Sequence, residues 1–197
     1  MYKRFLKRAL DFMIALFAIL ILFPLMVILG FLVLISDPGP IFYTQKRFGR
    51  DGRDGRRKFF KIIKFRTMKM NTPDVPTDKL KNPEQYVTKF GRFLRKTSLD
   101  ELPQLFNILV GQMSFVGPRP ALWNQTRLMR LRNQNEASKL RPGLTGWAQI
   151  NGRDDISETC KAKLDGEYVK KLSFWFDVKC FFATFFKAFI ERDGVAG

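Results

Sequence analysis

Asp100 and Glu101 stand side by side in SLDELPQL, residues 98–105. Their interest comes from what the rest of the chain lacks. No histidine occurs in the 197 residues, which removes the commonest general base, the Ser–His and Cys–His nucleophile pairs and histidine-containing zinc sites. Cys160 and Cys180 are the only cysteines, too few for an all-thiolate zinc site. Two isolated thiols suit a reducing compartment, and a disulfide between them stays open. Acid–base or nucleophilic chemistry therefore falls mainly to carboxylates, with Lys, Tyr and Ser behind them. A carboxylate can attack phosphorus and carry the transferred group covalently. Magnesium uses one or two carboxylates and completes its shell with substrate phosphates and water. The plain alternative is that two acids in the first turn of a helix complement its dipole.

The surroundings of the pair favour phosphate. Lys and Arg number 35 against 18 Asp and Glu, a net charge of +17, which implies a polyanionic partner: nucleic acid, an anionic membrane surface or phosphorylated small molecules. Arg95 lies just before the acids. Arg119 sits in MSFVGPRP (113–120) and Arg141 in LRPGLTGWAQING (140–152), both framed by Pro and Gly. Rigid turns that present a guanidinium fork suit two phosphate oxygens at once. Pro103 fits the first turn of a helix, which places the helix start near Asp100 with Ser98 or Asp100 as cap. Neighbouring helical residues point ~100° apart, so the two acids are expected to serve different atoms.

Two stretches read as membrane elements. No charged residue occurs from Phe12 to Ser36, FMIALFAILILFPLMVILGFLVLIS. The run is too long for a cleaved leader, and no small-x-small site precedes SDPGP. Pro24 lies near its midpoint and removes a backbone hydrogen bond, and each half, at ~18 Å, reaches across one leaflet only. Lys3, Arg4, Lys7 and Arg8 precede the run, and Lys46, Arg47, Arg50, Arg53, Arg56, Arg57 and Lys58 follow it. Positive charge marks the cytoplasmic side. A helix that enters, breaks at Pro24 and leaves by the same face satisfies both flanks; a kinked spanning helix is the alternative. Residues 167–190, EYVKKLSFWFDVKCFFATFFKAFI, interleave aromatics with lysines. Leu172, Trp175, Phe176, Val178, Phe182, Phe185, Phe186 and Phe189 recur at roughly helical spacing, as in a helix lying in the headgroup layer or packed in a soluble core.

Between these ends the chain reads as α+β, mostly helical, with a short sheet. Strands are expected at 41–45 and 59–67, and helices at about 85–96, 101–109, 121–138 and 157–169. A charged loop repeating Gly-Arg-Asp fills 47–58, and an exposed loop with three prolines spans 68–83. The division is a re-entrant membrane helix at 1–36 and a cytosolic, interfacial catalytic domain at 37–197.

KFRTM (64–68), TSLDELPQLFNILVGQMSFVGPRP (97–120), RPGLTGWAQINGR (141–153) and the closing amphipathic helix together resemble the bacterial sugar transferase family, and within it the small monotopic phosphoglycosyl transferases. The resemblance covers essentially the whole chain. It implies transfer of a sugar 1-phosphate from a UDP-sugar, with an N-acetylated amino sugar favoured, to polyprenyl (undecaprenyl) phosphate, releasing UMP and starting glycoconjugate assembly. By the same resemblance Asp100 is the nucleophile that becomes a phosphosugar ester, and Glu101 helps hold Mg2+. Arg95 and Arg119 match the family's phosphate-binding arginines, and Lys64, Arg66 and Arg141 match further basic positions that meet phosphate. The implied place is the cytoplasmic face of the bacterial inner membrane, monotopic, with no nucleic acid involved and a homo-oligomer left open. Two features depart from the family pattern: Phe23 stands before Pro24 where Ser is common, and the Gly-Arg-Asp loop is long and has no assigned role.

A membrane-tethered nucleic-acid binder that uses 46–69 as a phosphate track is the main rival. No recognition helix or RNA-binding signature supports it, and a backbone tracker needs no acid pair. A structural membrane adaptor is the third reading. No residue visibly reads out a sugar hydroxyl or acetamido group.

Overall fold

The computed structural model describes residues 2–52, 56–73, 82–152 and 156–193. The Gly-Arg-Asp loop and the proline-rich loop therefore lie partly outside the described residues. The chain forms two compact units. One comprises Leu16–Gln45 and Ile62–Asn107, and the other Met1–Ala15, Lys46–Lys61 and Ile108–Gly197.

The first unit is organised by α1 (Lys7–Ser36), a single helix with Pro24 inside it. It is the one helix among the described residues long and apolar enough to cross a membrane. One stripe of it, Met26, Leu29 and Val33, packs against Phe65 and Leu94, with Ile41, Phe90, Leu99, Leu102 and Phe106 around them. The rest of its circumference is bare: Phe17, Ile21, Ile28, Phe31 and Ile35 are each more than half exposed. An apolar surface that extensive is stable only against lipid or a partner.

Strands β1 (Phe42–Phe48) and β2 (Phe59–Phe65) pair. They run antiparallel, since Gly49 N–H donates to Lys58 O and Arg66 N–H to Ile41 O at opposite ends. A short turn at Pro83–Tyr86 precedes α2 (Lys89–Thr97), so the single helix expected at 85–96 is two segments. Thr88 Oγ1 caps α2 by accepting the Gly91 N–H at 2.8 Å. Ser98 then takes a left-handed conformation, φ 58°, and a 3₁₀ turn carries Leu99–Glu101. Helix α3 (Gln104–Leu109) begins just after Pro103.

This corrects the expected helix start and cap at Ser98 or Asp100. An α-helix beginning at Leu99 needs the N–H of residue 103 as donor, and proline has none. The Leu102 N–H bonds Leu99 O instead, and the Glu101 N–H bonds Ser98 O, so the backbone tightens to i→i+3 spacing. The Ser98 side chain makes no capping bond.

The second unit holds a parallel pair, β3 (Ser114–Val116) and β4 (Gly143–Thr145), with Ser114 opposite Gly143 and Val116 opposite Thr145. Helices α4 (Thr126–Gln134), α5 (Trp147–Ile150), α6 (Glu158–Lys171) and α7 (Phe174–Asp193) surround it. The helix expected over 121–138 is shorter because Leu122 bridges to Arg47 and its N–H is taken by Gln125 Oε1, while Glu136 turns left-handed. Arg132 on α4 and Asp165 on α6 meet in the interior, Nε to Oδ2 at 2.8 Å.

Helix α7 answers both readings of its sequence. Leu172 just before it, Phe176 and Cys180 pack with Val116 and Tyr168, whereas Trp175, Phe182 and Phe186 face outward, Trp175 at 77 % exposure. Asp177 on the inner side accepts from Tyr2 Oη, Lys7 Nζ and Tyr168 Oη. That ties the start of the chain to its last helix. Cys180 is buried, Cys160 exposed, and both thiols are free.

Candidate active site

Asp100 and Glu101 come together with Lys64, which β2 projects toward the 3₁₀ turn. Lys64 Nζ lies 2.6 Å from Glu101 Oε1 and 3.8 Å from Asp100 Oδ2. The expected separation of duties is thus incomplete, since both acids reach one ammonium. Asp100 is buried at 9 % exposure. Burial pushes its pKa up, the charge of Lys64 opposes that, Glu101 adds to it, and Arg95 opposes it again. A carboxylate that is desolvated yet flanked by cations is less masked by water than a surface one, which suits a nucleophile.

Arg95, exposed on the last turn of α2, is steered by a neighbour that sequence reading passed over: its Nε donates to Thr67 Oγ1 at 2.9 Å. The approach depends on Gly91, where an added Cβ would sit 2.1 Å from the Thr67 carbonyl oxygen. Arg66 is placed differently. It is buried, with Nη1 on Asp37 Oδ2 at 2.8 Å and Nη2 on the Asp37 carbonyl, and so holds the turn that follows α1.

Arg119 and Arg141 belong to the other unit. Arg119 is exposed on the turn after β3, its carbonyl held by Arg132 Nη1 at 3.0 Å. Arg141 is half-buried and donates from Nε to Gly111 O at 2.8 Å. The two turns lie against each other through glycines: a Cβ on Gly117 would stand 2.5 Å from the Arg141 carbonyl oxygen, and one on Gly146 2.0 Å from that of Gly117. No other residue type permits backbones so close.

Two carboxylates converging on one ammonium are a donor set that fits Mg2+ with phosphate oxygens and water as its remaining ligands. Among the described residues no group of three or more acidic or thiol side chains could hold a metal, so a Mg2+ ion at this place would have at most these two acids from the described chain.

A family model described as Bacterial sugar transferase matches residues 2–191. The chain belongs to the bacterial sugar transferase family. Within this family it is 39% identical to the UDP-glucose:undecaprenyl-phosphate glucose-1-phosphate transferase of Escherichia coli (strain K12), over 96% of this chain and 41% of that protein. It is 39% identical to the undecaprenyl-phosphate galactose phosphotransferase of Salmonella typhimurium, over 98% of this chain and 42% of that protein. With the exopolysaccharide production protein ExoY of Sinorhizobium fredii it shares 40% identity, over 90% of this chain and 83% of that protein. The chain therefore spans about two fifths of the length of the first two relatives.

Sequence reading of this chain counted Arg8, Arg50 and Lys58 only as flanking charge and did not register Asp11. Arg8 packs its guanidinium against Gly111 and donates to Ile108 O and Leu109 O, both at 2.7 Å. Asp11 is buried and accepts the Phe115 N–H. A lone acid at the head of an apolar run was the signal available.

Proposed function

We propose that the chain transfers a sugar 1-phosphate from a UDP-sugar to polyprenyl phosphate at the cytoplasmic face of the bacterial inner membrane. The observation that carries this is the buried Asp100 beside Lys64 and Glu101, in a chain of a family whose named relatives act on undecaprenyl phosphate.

Asp100 Oδ attacks the β-phosphorus of the donor. A carboxylate–phosphorus bond forms, the bridging oxygen leaves with UMP, and the sugar phosphate rests on the side chain as an acyl phosphate. An oxygen of polyprenyl phosphate then attacks the same phosphorus, restores the carboxylate and yields the lipid diphosphate sugar. Splitting the transfer suits two substrates that reside in different phases. Lys64 and Arg95 offset charge on the transferring group, and Arg119 and Arg141, each held on a turn of the second unit, carry guanidiniums that suit phosphate. Arg66 buttresses the turn at Asp37. Glu101 would help hold Mg2+, which when bound would further neutralise phosphate charge.

The resemblance to the small monotopic subgroup favours an N-acetylated amino sugar, whereas the relatives' names specify glucose and galactose. A donor panel containing all three classes, assayed by UMP release with Mg2+ and polyprenyl phosphate, is the direct test. Asp100→Asn should abolish release and should prevent the mass gain of one sugar phosphate seen with donor alone. Full activity in that variant would remove the nucleophile. For α1 the proposal is re-entrant: cysteines placed at residues 2 and 50, with Cys160→Ser, should both react from the cytoplasmic side only. Labelling from opposite sides would mean that the helix spans.

A further inference from the structure

The Gly-Arg-Asp loop has no part in the reading above, yet its described ends build a cavity of about 630 Å³ in the second unit. Arg50, Lys58 and Arg141 line it, with Asp51 as the one carboxylate and Phe59 and Gly111 among the remaining walls. Three cations against one acid leave a surplus of two positive charges. Asp51 is held from outside the loop: its N–H donates to Ser138 O at 2.9 Å, and the Asn133 amide, turned nitrogen-inward, lies 3.1 Å from its Oδ2, while its Oδ1 has no hydrogen-bond partner among the described residues. None of the three cations forms an ion pair with a carboxylate among the described residues.

Arg141 is fixed in place by Gly111 O through its Nε and lines the cavity. Its charge is unfavourable where it stands. Burial pushes its pKa down, Arg50 and Arg8 push the same way, and Asp11 alone opposes them. Gly111 is thus clasped on one side by Arg8 and on the other by Arg141. Guanidiniums crowded in this way are stabilised by an anion that each can grip.

We propose that Arg50, Lys58 and Arg141 form a binding site for a phosphate or diphosphate group, walled by Gly49–Gly52 and Lys58–Phe60. A surplus of two charges matches a phosphate monoester dianion. Phosphate of this kind has two sources here, the nucleotide and the prenyl lipid, and only the assignment of the source rests on the transferase reading.

The test uses the full chain as Asp100→Asn, so that no turnover intrudes, titrated calorimetrically with inorganic diphosphate, UMP and a water-soluble short-chain prenyl phosphate. Diphosphate should bind, and Arg50→Ala/Lys58→Ala should weaken it about tenfold or more with Tm unchanged, since both side chains are exposed. Whichever organic phosphate weakens in parallel identifies the source. Absence of diphosphate binding, equal binding by the double variant, or a loss confined to inorganic diphosphate each overturns the proposal. Missing UMP release in the active chain would count against the transferase reading and leave this site standing.

Discussion

Lys64 donates to Glu101 at 2.6 Å and stands 3.8 Å from Asp100, so one ammonium serves two adjacent carboxylates unequally. Lys64 is the largest of the influences that oppose the burial-driven rise in the Asp100 pKa. Replacing it with Met should raise that pKa further. The proposed nucleophile acts in its ionised form, so the acid limb of kcat/KM should move to higher pH, with the greatest loss of rate on the acid side. An acid limb that stays in place would show that Lys64 does not tune Asp100.

The same residue sets a pH dependence of stability. A carboxyl whose pKa is higher folded than unfolded binds its proton more tightly in the native state. Asp100 therefore favours folding most at low pH, and that contribution fades as pH rises from the ordinary carboxylate value through the folded one. Asp100→Asn, neutral at every pH, should be inactive yet have a neutral-pH Tm equal to or above that of the parent. A clear fall in Tm would mean that the ionised carboxylate stabilises the fold.

Gly91→Ala places a methyl 2.1 Å from the Thr67 carbonyl oxygen, a backbone atom with nowhere to retreat. Helix α2 must shift, and with it Arg95. A stability loss of about 1–3 kcal/mol is expected from such overpacking. UMP release should fall further than the loss of folded protein explains, as read from activity normalised to the folded fraction.

Arg132 and Asp165 are at most 4 % exposed, their side chains joined through Nε at 2.8 Å and Nη2 at 2.7 Å. Asp165→Ala strands a buried guanidinium and should cost about 3–5 kcal/mol. Arg132→Met with Asp165→Leu should recover most of that in denaturant unfolding. Because Arg132 also holds the Arg119 carbonyl, activity should stay low in the double variant even where stability returns.

The outward face of α7 offers Trp175 and Phe186, 77 % and 69 % exposed. Replacing both with Asp should weaken partition into anionic vesicles by about tenfold per residue, the scale of one aromatic buried in the headgroup layer. Tm in detergent should not change. Undiminished partition would assign membrane attachment to α1 alone.

Much of this was readable in the residues. The absence of histidine singled out Asp100 and Glu101 as candidates, and the uncharged run singled out α1, because both are statements about composition along the chain. The tight turn at Leu99–Glu101 could also have been foreseen, since Pro103 lacks the N–H that an α-helix there requires. Partners far apart in sequence could not. Arg66 carries the same charge whether it meets phosphate or Asp37, and only the fold decides between them. The stripe on α7 was ambiguous for a related reason: Leu172 and Trp175 are both apolar, and nothing local says that one packs with Tyr168 while the other faces outward. Asp177 places a charge in the apolar pattern of α7, and nothing local names Tyr2, Lys7 and Tyr168 as its partners.

The polypeptide passes between the two units at 15–16, 45–46, 61–62 and 107–108, through the interiors of α1, β1, β2 and α3. Neither unit is a contiguous stretch, so trimming from either end removes part of one and orphans pieces of the other. Acid pair and arginine turns are consequently inherited together: a recombination event that swaps this region between relatives must carry all of it, and shorter exchanges would sever a strand or a helix midway.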